Sequence, residues 1–346
     1  MKKVLVIRFS SIGDIVLTSP VIRCLKQQLP DVKVHFLTKQ QYLPVIEANP
    51  YIDKIWLYNQ NFRELIPQLK SEGFDFIVDL HKNYRSLFVR LSIGVRSASF
   101  QKLNIRKWMI VNLKINFLPS VHVVDRYFMA VEQLNVKNDG QGLDYFIPEK
   151  SEVDIKTLPE IYRQGYIAMV IGGKHKTKIF PTEKLAELGK KISRPVILLG
   201  GREDQERGEH IVTSDRSILF NACGKYTLNQ SASLLRQAEA VISNDTGLMH
   251  IAAAFRKRMV SVWGNTIPAF GMYPYFPEAW QGNSFIAEVK GLPCRPCSKL
   301  GYQTCPKKHF RCMMEIDHRP IIDFLMQETG NSTIKNLKSC LSSGGH

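Results

Sequence analysis

The sequence predicts two doubly wound α/β domains in tandem. Three observations carry that expectation. The chain has 346 residues, which at roughly 150 residues per domain makes about two. Short apolar runs alternate with stretches of helical period, the βαβ rhythm of a mostly parallel sheet. The rhythm runs twice, and a polar stretch over 137–160 with Gly140, Gly142, Pro148 and Pro159 separates the two series. The first domain is placed at 1–155, the second at 156–330, and a flexible tail at 331–346.

The first series opens on Val4-Leu5-Val6-Ile7, an apolar run that suits a strand buried on both faces. Ser10 to Asp14 makes a polar turn. A helical period then runs from Ile15 to Leu29, and Pro30-Asp31 stops it. Val32 to Leu37, Ile52 to Leu57 and Phe74 to Leu80 read as strands, with a helix over Phe62 to Leu69. The pattern weakens between Ser97 and Ser120. A helix over Val124 to Leu134, opened by Asp125, closes the series.

In the second series Tyr166 to Ile171, Pro195 to Leu199, Ala240 to Ser243 and Met259 to Trp263 read as strands. Thr182 to Lys191, Glu203 to Val212, Leu228 to Gln237 and Leu248 to Phe255 read as helices. Ligands of such sheets bind at the carboxyl ends of strands. Chemistry is therefore sought just after Ile7, Ile171, Leu199, Ser243 and Trp263.

Charge narrows the partners. Lys plus Arg is 47 against 31 Asp plus Glu, and the net +16 favours nucleotides, nucleic acid or an anionic membrane surface. No run approaches the about 18 apolar residues of a spanning helix. Met1-Lys2-Lys3 precedes only four apolar residues before Arg8, which does not read as a signal peptide. Seven cysteines, an odd count with four clustered over 294–312, do not suggest a disulfide framework. The expected place is the cytoplasm, beside a membrane.

Several constellations sit at the expected strand ends. Ser10-Ser11-Ile12-Gly13-Asp14 is neither a dinucleotide fingerprint nor a Walker loop. Its Asp14 suits either a helix-capping carboxylate or a general base. Gly172-Gly173-Lys174-His175-Lys176-Thr177-Lys178 reads as a phosphate site or as a solvated basic loop. Lys178, nearest Pro181 and the next helix, is the lysine expected to be fixed. Ser243 to His250 offers a carboxylate, a hydroxyl and an imidazole at a helix start, where amide groups can meet a diphosphate. His250 alone also suits a hydrogen-bonded core position. Trp263-Gly264-Asn265-Thr266 fits the rim of a phosphate or sugar site, or a simple turn.

Cys294, Cys297, Cys305 and Cys312 span nineteen residues and are candidate ligands of a structural zinc. The six residues between Cys305 and Cys312 are a poor zinc spacing, so reduced thiols are the alternative. A basic belt runs through His81, Lys82, Arg85, Arg90, Arg96, Lys102, Arg106, Lys107 and Lys114, with Trp108 to Val111 embedded in it. It suits an interface with anionic lipid, or a core-facing helix with a solvated basic side. No nucleic-acid-binding motif accompanies it.

Together these pieces resemble the heptosyltransferases of glycosyltransferase family nine, which build the inner core of lipopolysaccharide. The resemblance covers roughly residues 1 to 325. It rests on Arg8 to Val16, Lys178-Ile179-Phe180-Pro181, Val123 to Tyr127, Asn244 to Ala253, and the Cys294 to Cys312 segment. It implies a GT-B architecture, with acceptor binding in the first domain and sugar-nucleotide binding in the second. It also implies an inverting transfer that requires no metal cofactor. Asp14 would be the base. Lys178 would hold the donor diphosphate, and Asp245, Thr246, Gly247 and Leu248 would line the donor, supported by His250. Glu203 matches the place of an acidic residue that holds the ribose, although Glu206 is nearby. Thr266 joins the donor side, and Ser11, Gly13, His81 and Arg85 the acceptor side.

The expected partners are an ADP-sugar, with ADP-heptose as the family's donor, and an anionic lipid-linked saccharide acceptor. Peripheral association with the inner face of the inner membrane goes with them. Nucleic acid is not expected as a partner. Two alternatives stay open: a transferase or epimerase using another sugar nucleotide, and a basic nucleic-acid-binding module without catalysis.

Overall fold

The computed structural model describes residues 2–327. The tail expected at 331–346 lies outside them. The first domain holds a five-stranded parallel sheet of β1 (Lys3–Ile7), β2 (Lys33–Lys39), β3 (Lys54–Tyr58), β4 (Phe76–Asp79) and β5 (Ser97–Ser99). Its helices are α1 (Ile12–Val16), α2 (Ser19–Gln28), α3 (Phe62–Ser71), α4 (Tyr84–Ile93), α5 (Asn104–Asn112) and α6 (Val123–Phe128). The second domain opens with the short α7 (Glu160–Arg163). Its six parallel strands are β6 (Ile167–Val170), β7 (Val196–Leu199), β8 (Leu219–Asn221), β9 (Ala240–Asn244), β10 (Arg258–Trp263) and β11 (Ser284–Glu288). Around them lie α8 (Thr182–Lys191), α9 (Gln205–Val212), α10 (Leu228–Gln237), α11 (Gly247–Ala254), α12 (Arg311–Met314) and α13 (Arg319–Met326).

Strand order positions the site. The first sheet runs β3-β2-β1-β4-β5 and the second β11-β10-β9-β6-β7-β8. Chain direction across the sheet reverses between β1 and β4, and again between β6 and β9. Those switch points are where crevices open at the carboxyl ends of strands. The segments after β1, β6 and β9 are ones already marked by motif, and the basic belt begins after β4.

The central strands β1, from Val4 onward, and β6 are apolar because both faces are covered. Val4 and Val6 of β1 point into one core, Leu5 and Ile7 into another. The core holding Val4 and Val6 is continuous with Ala168, Val170 and Leu199 of the second domain. The polar stretch over 137–160 lacks strands, as expected of a connection, but it is bound down. Asp139 accepts two bonds from Arg23 at 2.8 Å, Asp144 pairs with the same guanidinium, and Leu143, Tyr145 and Leu158 are buried.

Several boundaries differ from expectation. The helix over Ile15 to Leu29 is two helices, broken at Leu17-Thr18 ahead of Pro20, and the first begins at Ile12 with Ser11 in the capping position. The helix over Val124 to Leu134 ends at Phe128, and His122 caps it through Nδ1, not Asp125. The weak stretch after Ser97 contains β5 and α5. The strands β8 and β11 carry no signal strong enough to be foreseen.

Candidate functional site

Arg8 leaves the end of β1 and turns inward, where it is buried. Its Nη2 lies 2.6 Å from Asp14 Oδ1. Its Nε donates to the Ser10 carbonyl at 2.8 Å, and its Nη1 donates to the Tyr127 hydroxyl at 3.1 Å and to the Leu80 carbonyl. Ser11 donates to the other oxygen, Asp14 Oδ2, from its backbone N at 3.1 Å and its Oγ at 2.8 Å. Both carboxylate oxygens are thus held. Burial pushes the Asp14 pKa up, but Arg8 and Ser11 together outweigh it and hold the group below the ordinary carboxylate value. Asp14 is an anion at neutral pH, aligned by a cation that cannot move.

His81 follows β4 beside this pair. Its backbone N donates to Asp79 Oδ1 at 3.0 Å, and its ring stands edge-on to Phe9. Burial, then Arg8 and Lys102, push its pKa down to about 3, so the ring is neutral. Arg85 sits farther along on α4, its guanidinium 5.0 Å from the centre of the Tyr84 ring, and no hydrogen bond joins it to the Asp14 group. Lys102 and Lys107 come closer than their places in the belt suggested. Burial lowers both pKa values, Lys107 to about 8, and the Asp14 charge partly restores each. No spacing rule reveals this, because β5 and the turn before α5 bring them inward.

The second domain answers with a different pair. Lys178 Nζ lies 2.5 Å from Asp245 Oδ2, and Thr266 Oγ1 donates to the same oxygen at 3.0 Å. Asn244, just before, ties three segments together. Its Oδ1 accepts from the Phe180 amide at 3.0 Å, and its Nδ2 donates to the carbonyls of Val170, Ile171 and Gly172 at 3.3, 3.2 and 3.2 Å. It was not foreseen as a positioning residue, since one asparagine in a motif does not announce three carbonyl partners. Gly172 makes room for a protein group: a Cβ there would lie 2.4 Å from Asp204 Oδ2. Lys174 and Lys176 are exposed.

Around this pair, buried polar atoms lack protein partners. They are Thr246 Oγ1, His250 Nδ1, and Asn265 Oδ1 and Nδ2. Buried polar atoms are nearly always satisfied, so this cluster is a candidate ligand wall. Burial drives the His250 pKa down to about 4, so its imidazole is neutral. Leu248, half-buried in the first turn of α11, packs against the core that holds Val4 and Val6. Glu203 is exposed and folds back over Gly201, where a Cβ would meet its Oε2 at 2.3 Å. Its neighbour Asp204 is the buried acid and accepts from the Gly201 amide at 3.0 Å.

The two halves touch at glycines. A Cβ on Gly13 would lie 2.5 Å from His250 Cδ2, and a Cβ on Gly247 would lie 2.6 Å from Ile12 Cγ2. Gly13 therefore serves close contact between the domains, and its neighbour Asp14 stands next to the start of α11. The segment over 123–127 clamps the same interface. Val123 N donates to the Gly271 carbonyl at 2.8 Å, Arg126 Nη2 to the Phe270 carbonyl at 3.2 Å, and Asp125 Oδ1 accepts from the Tyr275 hydroxyl at 2.7 Å. A cavity of about 650 Å³ lies beyond this clamp, lined by His122, Asp125, Tyr273 and Tyr275 among others, and none of the expected site residues line it.

The zinc expectation is not met. Among the described residues no three His, Cys, Asp or Glu side chains are grouped to hold a metal ion. Cys312 is buried in the core of the second domain, Cys297 Sγ is directed to the Cys294 carbonyl at 2.9 Å, and Cys294 faces His309. Burial pushes the Cys297 thiol up to about 11 and the Cys312 thiol to about 12.

Comparison with known proteins bears on family and fold. The sequence profile of glycosyltransferase family 9 (heptosyltransferase) matches residues 39–303, a span that includes Lys178 and Asp245 and begins after Asp14. Lipopolysaccharide heptosyltransferase 1 of Campylobacter coli is 22% identical over 288 residues, 76% of this chain and 84% of that protein. The structure of E. coli ADP-heptose LPS heptosyltransferase II superposes with a TM-score of 0.68 at 19% identity, covering 94% of this chain and 97% of that one. E. coli heptosyltransferase WaaC with ADP gives 0.66 at 18% identity, covering 93% and 98%. At these identities the structural likeness shows the GT-B fold.

Proposed function

The chain belongs to glycosyltransferase family 9, the heptosyltransferases, and from that premise we propose an inverting transfer of heptose from ADP-heptose to an inner-core lipopolysaccharide acceptor, with Asp14 as general base. The boundary near residue 155 then divides an acceptor half from a donor half. The observation that carries the reading is the contact of Gly13 with His250 and Gly247, which sets an ionised carboxylate beside the Lys178–Asp245 pair.

The acceptor hydroxyl donates its proton to Asp14. Its oxygen attacks the anomeric carbon from the face opposite the diphosphate, and the carbon–oxygen bond to ADP breaks. A carboxylate held below its ordinary pKa is a weak base, so the proton moves late, as the forming bond makes the hydroxyl acidic. The departing diphosphate gathers negative charge. Lys178 and the free amide groups at the start of α11 are placed to receive it. Thr246 and Asn265 supply the unpartnered polar atoms, neutral His250 donates or accepts without adding charge, and Glu203 holds the ribose. Thr266 holds Asp245, and through it Lys178. Diphosphate neutralisation thus falls to protein groups, with no metal cofactor required.

On the acceptor side Ser11, His81 and Arg85 line the approach, with Lys102 and Lys107 supplying cations for an anionic saccharide. The reaction takes place at the inner face of the inner membrane, where a lipid-linked acceptor is presented. Asp14→Asn tests the base. Transfer should fall about 10²- to 10⁴-fold while ADP binding, read by calorimetry, stays unchanged. Near-normal turnover by the folded variant would remove Asp14 from the role.

A further inference from the structure

Helix α4 presents its apolar stripe to solvent. Tyr84, Leu87, Phe88 and Leu91 follow the i, i+3, i+4, i+7 spacing that ordinarily faces a core. Here all four are exposed, Tyr84 at 70% and Leu91 at 73%, while Ser86 and Val89 take the buried side. Helix α5 repeats the pattern, with Ile105 exposed at 77% and Trp108 at 55% and Ile110 alone fully buried. Leu113, Ile115 and Phe117 extend the exposed run. Both helices flank β5, the edge of the first sheet. The belt is thus not a core-facing helix with a basic back.

The charge of the same segment is equally one-sided. From residue 80 to residue 124 there is no Asp or Glu, and there are eight Lys and Arg. Among the described residues only Arg90 of the eight pairs with a carboxylate, Asp79 at 3.6 Å. Elsewhere in the domain, Lys3, Arg23, Lys26, Lys33 and Lys54 all have carboxylate partners. Exposed Arg106 and Lys114 donate only to carbonyls.

We infer that α4 and the segment from α5 to Phe117 form a platform that seats the first domain on an anionic bilayer. An anionic bilayer satisfies both features: the apolar side chains enter the headgroup boundary and the unpaired cations meet lipid phosphates. Nucleic acid would answer the cations and leave the apolar residues in water. A second copy of the chain would cover the apolar residues and crowd like charges. The platform also points at the chemistry. Lys107, next to Trp108 in sequence, turns inward, feels the Asp14 charge and lies 5.8 Å from the Phe270 ring centre. An acceptor anchored by its lipid would lie at the platform while its sugar reaches Asp14. This inference rests on the acceptor's being lipid-linked.

The test uses the full chain and phosphatidylcholine vesicles with and without phosphatidylglycerol. Wild type should cosediment with the anionic vesicles, and salt should weaken it. The variant Leu91→Glu/Ile105→Glu/Trp108→Glu should bind about tenfold or more weakly, and Arg96→Gln/Arg106→Gln should lose the preference for anionic lipid. Transfer to a vesicle-embedded acceptor should fall with binding, while transfer to a de-acylated, water-soluble acceptor stays at wild-type rate. Wild type that ignores anionic vesicles, or a triple variant that binds as wild type, overturns the platform. So does a wild-type dimer that the triple variant converts to monomer without loss of vesicle binding. Absence of heptosyl transfer to the soluble acceptor by wild type would instead strike the proposed function, because vesicle binding is read without turnover.

Discussion

Two ion pairs face each other across the domain contact, and they are built in opposite ways. In Arg8–Asp14 the cation is fixed. Its guanidinium is committed to two backbone carbonyls and a tyrosine hydroxyl, and the carboxylate is the group facing the chemistry. In Lys178–Asp245 the carboxylate is fixed by Thr266, and the cation is a flexible ammonium, a point charge. The difference fits the division of labour. A base must be held as an anion in one orientation, whereas a group that meets a diphosphate must follow the charge as it leaves.

The sharpest way to break that comparison is to remove the mobile cation. Lys178→Met should lower kcat about 10²- to 10³-fold, the usual scale for losing one charge-stabilising donor. It should also erase the preference for ADP over AMP in competition binding, which Asp14→Asn should keep. If Lys178→Met retained that preference, the lysine would not be the diphosphate ligand.

Removing the fixed cation should act on stability and basicity together. Arg8→Gln leaves the half-buried Asp14 carboxylate without its pair, at a cost of about 1–3 kcal/mol. Arg8 lowers the folded pKa of Asp14, so its contribution is complete above the ordinary carboxylate value and is lost as pH falls through the folded one. In the variant, urea unfolding should show the loss at pH 7, and the acid limb of the pH–rate profile should move to higher pH. Arg8→Lys, which keeps the charge and loses the fork, should shift that limb less. An unmoved limb would separate Arg8 from the base.

The contact between the pairs is the next target. Gly13→Ala places a methyl group 2.5 Å from the His250 ring carbon. Overpacking of this kind costs about 1–3 kcal/mol, and thermal melting should show it. Transfer should fall more than stability explains, since the ring must move and Asp14 with it. Full activity would mean that the catalytic state holds the domains farther apart.

Much of this was legible in the sequence, and the omissions have physical reasons. Strands such as Val4–Ile7 and helices such as Thr182–Lys191 are visible because burial on defined faces imposes a period. The motif over 244–250 is legible because it concentrates unlike polar groups at a strand end. Helix α4 is misleading for the same reason that others are clear: its apolar stripe has the right period and faces solvent. Lys102, Lys107 and Asn244 depend on which distant segments the fold brings to them. The cysteines show the converse error: among the described residues, four thiols close in sequence do not form a group that could hold a metal ion.

The smallest effects separate two neighbouring acids at the end of β7. Sequence favours Glu203 as the ribose ligand, yet Asp204 is the buried one, and its carboxylate occupies the space that Gly172 and Gly200 leave open. Burial raises the Asp204 pKa, opposed by Arg207 and the Gly201 amide. Asp204→Asn keeps the shape but exchanges an acceptor oxygen for a donor, which should cost about 1–3 kcal/mol with donor affinity nearly intact. Glu203→Gln, at an exposed position, should change stability by less than about 0.5 kcal/mol and weaken ADP-sugar binding severalfold, since a charged hydrogen bond to a hydroxyl is about twice as strong as a neutral one. Melting curves and calorimetric titration of both variants decide the matter. If Asp204→Asn weakens donor binding while Glu203→Gln does not, the ribose contact belongs to the buried acid, and the exposed carboxylate is a surface group.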